Sequence, residues 1–203
     1  MRPGKNIDTS VAASSALISP TGWYRRARRL RSPNCDGLPS DAVTQLIVIH
    51  NISLPPGKFG GPDVERLFTN RLRASDHPVY ADIAALRVSA HFFIRRSGVL
   101  VQFVSTADRA WHAGASAWRG RERCNDFSIG IELEGADDLP YTERQYGRLA
   151  ALVRALVARY PLIYGVAGHA EIAPGRKTDP GPAFDWTRFM AQSGLPQRFR
   201  DLA

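Results

Sequence analysis

The pattern of apolar and polar positions switches period along the chain. Leu46-Ile47-Val48-Ile49 is an unbroken apolar, mostly β-branched run of buried-strand length, and it stops at His50-Asn51 and a Pro55-Pro56-Gly57 loop. This predicts His50 at a strand end. Residues 90–95 and 99–104, joined by Arg96-Ser97-Gly98, read as a β-hairpin because Ser-Gly supplies the turn chemistry between two strand-like runs. Residues 128–133 alternate, with Ile129, Ile131 and Leu133 on one face and Ser128, Gly130, Glu132 and Glu134 on the other. A carboxylate therefore projects from a sheet face.

Helical spacing appears in two places. Gly60-Gly61-Pro62 opens a short helix with Val64, Leu67, Phe68 and Leu72 on its apolar side. The longest helix starts at Thr142, where Thr-x-x-Gln to Gln145 fits a capping box, and ends at Tyr160-Pro161. Leu149, Leu152, Val153, Leu156, Val157 and Tyr160 form a stripe along it that must pack on a sheet. Val166-Ala167 reads as a short strand ended by His169, followed by a long Pro/Gly-rich loop to Pro182, and Asp185 suits the cap of a last short helix. The order predicts an α+β (mixed α/β) fold, with a single central mixed β-sheet flanked by helices and the site in a surface cleft at strand ends.

Composition narrows this picture. A chain of 203 residues with 44% hydrophobic residues can bury one sizeable core, and it has no apolar run approaching the roughly 18 residues of a spanning helix. Neither a signal peptide nor a membrane partner is expected. Two cysteines, Cys35 and Cys124, are too few for a disulfide framework and read as free thiols of a cytoplasmic protein, expected as a monomer. The net charge is +8. Residues 1–36 hold seven basic and two acidic residues (+5), most of them in the run from Tyr24 to Arg31, which leaves +3 for the other residues. Residues 1–20 read as a disordered extension before a domain over 21–203, and the arginine run as a solvated, partly flexible arm. No aromatic stacking platform follows it, so no nucleic-acid partner is expected.

Among the five histidines, His50 and His169 stand out because each ends a predicted strand, and Asp179 lies ten residues beyond the second. Two imidazoles and a carboxylate match the three-ligand set of catalytic zinc, with one position open. Pro180 biases Asp179 toward an extended conformation, which puts Lys177 on the same side as Asp179. An ordinary surface Lys-Asp pair reads almost as well. Glu132 is the natural general base, although an exposed strand glutamate fits the same alternation.

Five stretches, HNISLPPG at 50–57, LRVSAH at 86–91, RAWHAG at 109–114, RERCNDFSIGIELE at 121–134 and GHAEIAPGRKTDPGPAFDW at 168–186, closely resemble the zinc amidase family that also contains phage lysozyme-like amidases and peptidoglycan recognition proteins. The resemblance covers roughly residues 20–190. It implies that His50, His169 and Asp179 bind Zn2+, that Glu132 transfers protons and that Lys177 stabilises the transition state. It further implies that Asn51, Arg87, Trp111, Arg123 and Ala173 line a groove for an anhydromuropeptide. The implied reaction is hydrolysis of the amide between the lactyl group of anhydro-N-acetylmuramic acid and L-alanine of the stem peptide, in cytoplasmic peptidoglycan recycling. Arg87 and Arg123 offer guanidinium forks for the carboxylates of such a peptide. A non-catalytic binding module would be expected to lack a ligand or the base, and here the set is complete. The N-terminal extension and Ala170-Glu171 depart from the family pattern. His91 and His112 are left as cleft residues or neighbours of the ligands rather than ligands, and His77, before Pro78, as a loop residue.

Overall fold

The computed structural model describes residues 16–201. The described residues form strands β1 (Arg28–Arg29), β2 (Cys35–Gly37), β3 (Leu46–Ile52), β4 (Phe92–Ile94), β5 (Leu100–Gln102), β6 (Asp108–Ala110), β7 (Ala117–Trp118), β8 (Arg121–Glu122), β9 (Ser128–Glu134) and β10 (Gly165–Gly168). The helices are α1 (Asp63–Phe68), α2 (Tyr80–Ile83), α3 (Glu143–Arg159), α4 (His169–Ile172) and α5 (Trp186–Ser193). Six strands make one sheet in the order β1-β5-β4-β9-β3-β10, parallel throughout except for the predicted β4-β5 hairpin. Gly98 takes the left-handed conformation that its turn requires, with φ +83°. The mixed, helix-flanked sheet matches the expected fold class.

Both faces of the sheet are covered, which explains why the β3 run is apolar at consecutive positions. On one face Ile47, Ile49, Ile129, Ile131 and Val166 pack against Leu149, Leu152, Val153 and Leu156 of α3 and Phe189 of α5. The predicted stripe is therefore the contact surface of α3. Its N-terminus has the full capping box, in which Gln145 N donates to Thr142 Oγ1 at 3.2 Å and Thr142 N donates to Gln145 Oε1 at 3.1 Å. On the other face Leu46, Val48 and Ala167 meet Trp118, Phe127 and Ile172, while Phe93 and Val101 meet Leu67 and Phe68.

Three expectations change. β3 does not stop at Ile49. Pairing with β9 carries it through His50 to Ile52, so His50 sits inside a strand. The stretch after β10 is not one irregular loop, because α4 begins directly at His169. The arginine run is not a free arm. Tyr24 within it is fully buried against Phe92, and its N–H donates to Gln102 Oε1 at 2.7 Å. Arg28 and Arg29 form edge strand β1, Arg28 pairs with Glu65 at 2.5 Å, and Arg29 and Arg31 flank the Trp23 ring at 5.2 and 5.4 Å. Apolar residues spaced between the arginines anchor the segment and leave its charges at the surface. Ile18, inside the segment expected to be disordered, is buried and bridged to Tyr24. The part of that expectation covering residues 1–15 lies outside the described residues.

If this segment is part of the fold, Tyr24→Ala should lower the unfolding free energy by about 3–5 kcal/mol in urea titration, the range for truncating a buried aromatic residue. A flexible arm would leave the midpoint unchanged.

Candidate active site

The register of the sheet assembles the site. His50 of β3 lies beside Glu132 of β9, and Glu132 beside Phe93 of β4. Parallel neighbours in register present their side chains to the same face. On the other side Gly168 of β10 pairs with Ile49, so the next residue, His169, comes level with His50. His169, His50 and Glu132 thus form one row across three adjacent strands. Asp179 reaches the row from the loop after α4, where Ala170 N donates to Asp179 O at 2.9 Å.

The two imidazoles and the carboxylate converge on one point. His50 Nδ1 and His169 Nδ1 are 3.0 Å apart, and Asp179 Oδ2 lies 3.2 and 3.1 Å from them. The far side of each ring fixes what these atoms are. His169 Nε2 is 3.1 Å from the carbonyl of Ala113, which can only accept, so His169 carries its proton on Nε2 and turns the Nδ1 lone pair to the site. His50 Nε2 lies 2.9 Å from His112 Nδ1. Burial pushes His50 down to about 4, with the neighbouring Asp179 carboxylate opposing, so this ring is neutral.

Such a triangle fits a metal ion. Zinc ligands at about 2.0–2.1 Å in tetrahedral array stand roughly 3.3–3.4 Å from one another, close to the separations here. The three residues form the one group of metal-ligand type found among the described residues.

Two glutamates of β9 face the same side and differ in what they touch. Glu134 is saturated, since it accepts from Gly60 N at 2.5 Å and Arg96 N at 2.9 Å and so ties two loops to the sheet. Glu132 is 8% exposed, and its Oε2 has no hydrogen-bond partner. It is therefore not the exposed strand glutamate that the alternation also allowed. Burial pushes its carboxyl well above the usual range, the Asp179 charge adds to this, and Lys177 opposes it. A buried carboxyl with a free oxygen beside a cation cradle is equipped for proton transfer.

A cleft of about 300 Å³ opens over the row, with Asn51, Trp111, Lys177 and the apolar side chains of Leu54, Phe68 and Val88 among its walls. Asn51 Nδ2 donates to Asp137 Oδ1 at 2.7 Å, and Trp111 Nε1 donates to Asp36 Oδ1 at 3.0 Å, so both are held in place. Arg87 and Arg123 stand outside these walls. Arg87 is exposed and donates to Ala85 O, and Arg123 pairs with Asp126 at 3.0 Å. Ala173 is buried at the end of α4, where its N–H donates to His169 O at 2.9 Å. Glu171, the departure beside a proposed ligand, has a structural task. Its carboxylate accepts from Gly168 N at 2.5 Å and pairs with Arg200 at 2.6 Å, bracing the turn that presents His169. His112, expected beside the ligands or in the cleft, lies against His50, whereas reasoning from sequence passed over Arg176, whose Nη2 donates to the carbonyls of Ala113 and Ala115 at 2.7 and 2.6 Å. A histidine in a loop or an arginine beside Lys177 carries no local signal of such ties.

A cleft that combines a three-donor cation cradle, an isolated buried carboxyl and a lysine is the equipment of a metal-dependent hydrolase. The chain belongs to the N-acetylmuramoyl-L-alanine amidase family, Amidase_2, whose model matches residues 40–182. It is 58% identical over 180 residues to the 1,6-anhydro-N-acetylmuramyl-L-alanine amidase AmpD of Salmonella typhimurium (strain SL1344), covering 88% of this chain and 96% of that protein. A crystal structure of a selenomethionine AmpD derivative superposes with a TM-score of 0.85 at 58% identity, covering 87% of this chain and 98% of that one. The N-acetylmuramyl-L-alanine amidase AmiD from E. coli, solved in complex with the substrate anhydro-N-acetylmuramic acid-L-Ala-D-gamma-Glu-L-Lys, gives a TM-score of 0.54 at 29% identity, covering 88% of this chain and 65% of that one.

The buried imidazoles predict an acid-sensitive fold. Burial pushes His91 down to about 4, and its hydrogen bond to Asp108 O opposes this. The unfolded chain binds a proton there below about pH 6.5, whereas the folded chain does not until about 4. This contribution to stability is complete above the upper value and is lost as pH falls through the window. The unfolding free energy of metal-free protein should fall between pH 6.5 and 4 by up to about 1.4 kcal/mol per unit for such a group. In His91→Asn the slope should be shallower by about one proton, read from denaturation midpoints across that range.

Proposed function

We propose that this chain hydrolyses the amide joining the lactyl group of 1,6-anhydro-N-acetylmuramic acid to L-alanine of the stem peptide, using zinc held by His50, His169 and Asp179. The observation that carries the reading is the triangle of two imidazole lone pairs and a carboxylate oxygen, 3.0–3.2 Å on a side, next to the unpartnered oxygen of Glu132. Identity above one half to amidases named for this substrate supports the choice of bond.

Zinc in this cradle supplies Lewis acidity toward the amide carbonyl and the attacking water. Glu132 takes the water proton on Oε2 and later delivers it to the departing amine, which leaves poorly as an anion. Lys177, on the cleft wall beside Asp179, faces the oxygen that gains charge as the carbonyl becomes tetrahedral. Asn51 and Trp111 orient the muropeptide from the walls. Ala173, whose carbonyl accepts from Lys177 N at 3.1 Å, lines the groove beside it, and Arg87 and Arg123, farther out, serve the stem-peptide carboxylates where the ligand extends past the cleft. The reaction belongs to peptidoglycan recycling in the cytoplasm, where Cys35 and Cys124 remain the free thiols seen here. No helix of the described residues is long and apolar enough to cross a membrane, and no step calls on nucleic acid, lipid or a second copy of the chain.

Cleavage of anhydromuramoyl-tripeptide should disappear on complete chelation and return with added zinc, whereas undiminished cleavage by metal-free protein would contradict the reading. Glu132→Gln should lose about 10²–10⁴-fold in turnover while keeping its zinc. Lys177→Ala should lose roughly 10²–10³-fold in kcat, again at unchanged zinc content, as for removal of one oxyanion donor. A loss of zinc that accounts for the lost activity in either variant would assign that residue to metal binding instead.

A further inference from the structure

His50 and His169 have to present Nδ1 to the same point, and they are held there in different ways. His169 is fixed in one step by the Ala113 carbonyl. For His50 the partner is another imidazole, which could accept or donate, so the direction of that bond must be set farther away. Ser128 Oγ is 2.5 Å from the carbonyl of Cys124 and must donate its only proton to it. Ser128 Oγ is then an acceptor toward His112 Nε2 at 3.3 Å, which puts the His112 proton on Nε2 and leaves Nδ1 as a lone pair. His112 Nδ1 in turn accepts from His50 Nε2 at 2.9 Å, and the His50 lone pair is left on Nδ1, facing the cradle. All the bonds of the chain run one way because it ends on a carbonyl.

The His112 ring has a seat built for it. It lies over Gly130, where a Cβ would come within 2.4 Å of His112 Cγ. Its backbone is held as well, since the N–H groups of His112 and Ala113 both donate to Asn125 Oδ1, at 3.1 and 2.8 Å. One face of β9 therefore carries the whole device at alternate positions. Ser128 orients the His112 ring, Gly130 makes room for it, and Glu132 meets the substrate.

We propose that His112 is a positioning residue that fixes the tautomer and orientation of His50, with Ser128 setting the direction of the hydrogen-bond chain and Gly130 seating the ring. The inference rests on the reading of His50, His169 and Asp179 as metal ligands, and it adds a residue that acts through one of those ligands without being one. His112→Phe keeps a ring over Gly130 and removes both nitrogens, so pure packing is preserved. His112→Gln restores an acceptor for His50 and a donor for Ser128 on one planar amide.

Two readouts apply to each variant, zinc affinity from competition with a chelator and the His50 tautomer from nitrogen-correlated NMR of metal-free protein. Wild type should show the His50 proton on Nε2. His112→Phe should bind zinc about 10–100-fold more weakly, as for loss of a partner that orients a ligand, with His50 in mixed tautomers. His112→Gln should recover most of the affinity. Ser128→Ala, which opens no large void, should also weaken zinc binding and mix the tautomers, and it decides the matter even if the Phe variant does not fold. Wild-type affinity and an unchanged His50 tautomer in Ser128→Ala and in any folded His112→Phe would overturn the proposal while leaving the metal site intact. A wild-type chain that binds no zinc would overturn both.

Discussion

Everything in the site depends on the parallel register of β10, β3 and β9. One residue of slip in any of these pairings would turn His50 or Glu132 to the opposite face, into the packing of α3. The register is held by the apolar residues that alternate with the functional ones. Ile47 and Ile49 on β3 and Ile129, Ile131 and Leu133 on β9 are all buried against α3 and its neighbours. The helix thus locks the chemistry on the far side of the sheet without touching it. Covering both faces has a second effect, because it takes Glu132 and His50 away from water and disfavours the charged form of each.

The polar groups near the row divide by whether their bonding is complete. Glu134, Glu171 and Asp126 are saturated by backbone N–H groups or arginines and act as fasteners. Glu132 Oε2 has no partner, and the two Nδ1 atoms have only each other and Asp179. Buried polar groups are ordinarily satisfied, and of the four unpartnered side-chain atoms found among the described residues, on Tyr24, Arg96, Trp118 and Glu132, only that of Glu132 belongs to the cleft. That contrast separates Glu132 from Glu134, two residues along the same strand face and alike in charge.

Much of this was legible in the chain. Local periodicity suffices for the β3 run, the β9 alternation, the hairpin at Gly98 and the capping box at Thr142, because each depends on residues close together in sequence. The grouping of His50, His169 and Asp179 was suggested by their placement along the chain, and its reading as a zinc set became specific through resemblance to the amidases. The extension of β3 through His50 was not, since it depends on pairing with β9 some eighty residues away. The arginine run was misread because its charges mask the anchoring role of Tyr24, and a single buried aromatic residue makes no periodic signal. The place of His112 near the ligands was expected, but its ties were not, for a similar reason: they come from a ring laid on Gly130 and a bond to Ser128, contacts that only the folded chain brings together.

The central claim is that one zinc ion sits on the Nδ1 atoms of His50 and His169 and on Asp179, beside Glu132. Anomalous diffraction collected on either side of the zinc absorption edge tests it most directly. The account predicts a single strong peak per chain about 2.0–2.2 Å from both Nδ1 atoms and from one Asp179 oxygen. A peak bound through Nε2, a peak outside this cleft, or none after zinc loading would contradict it.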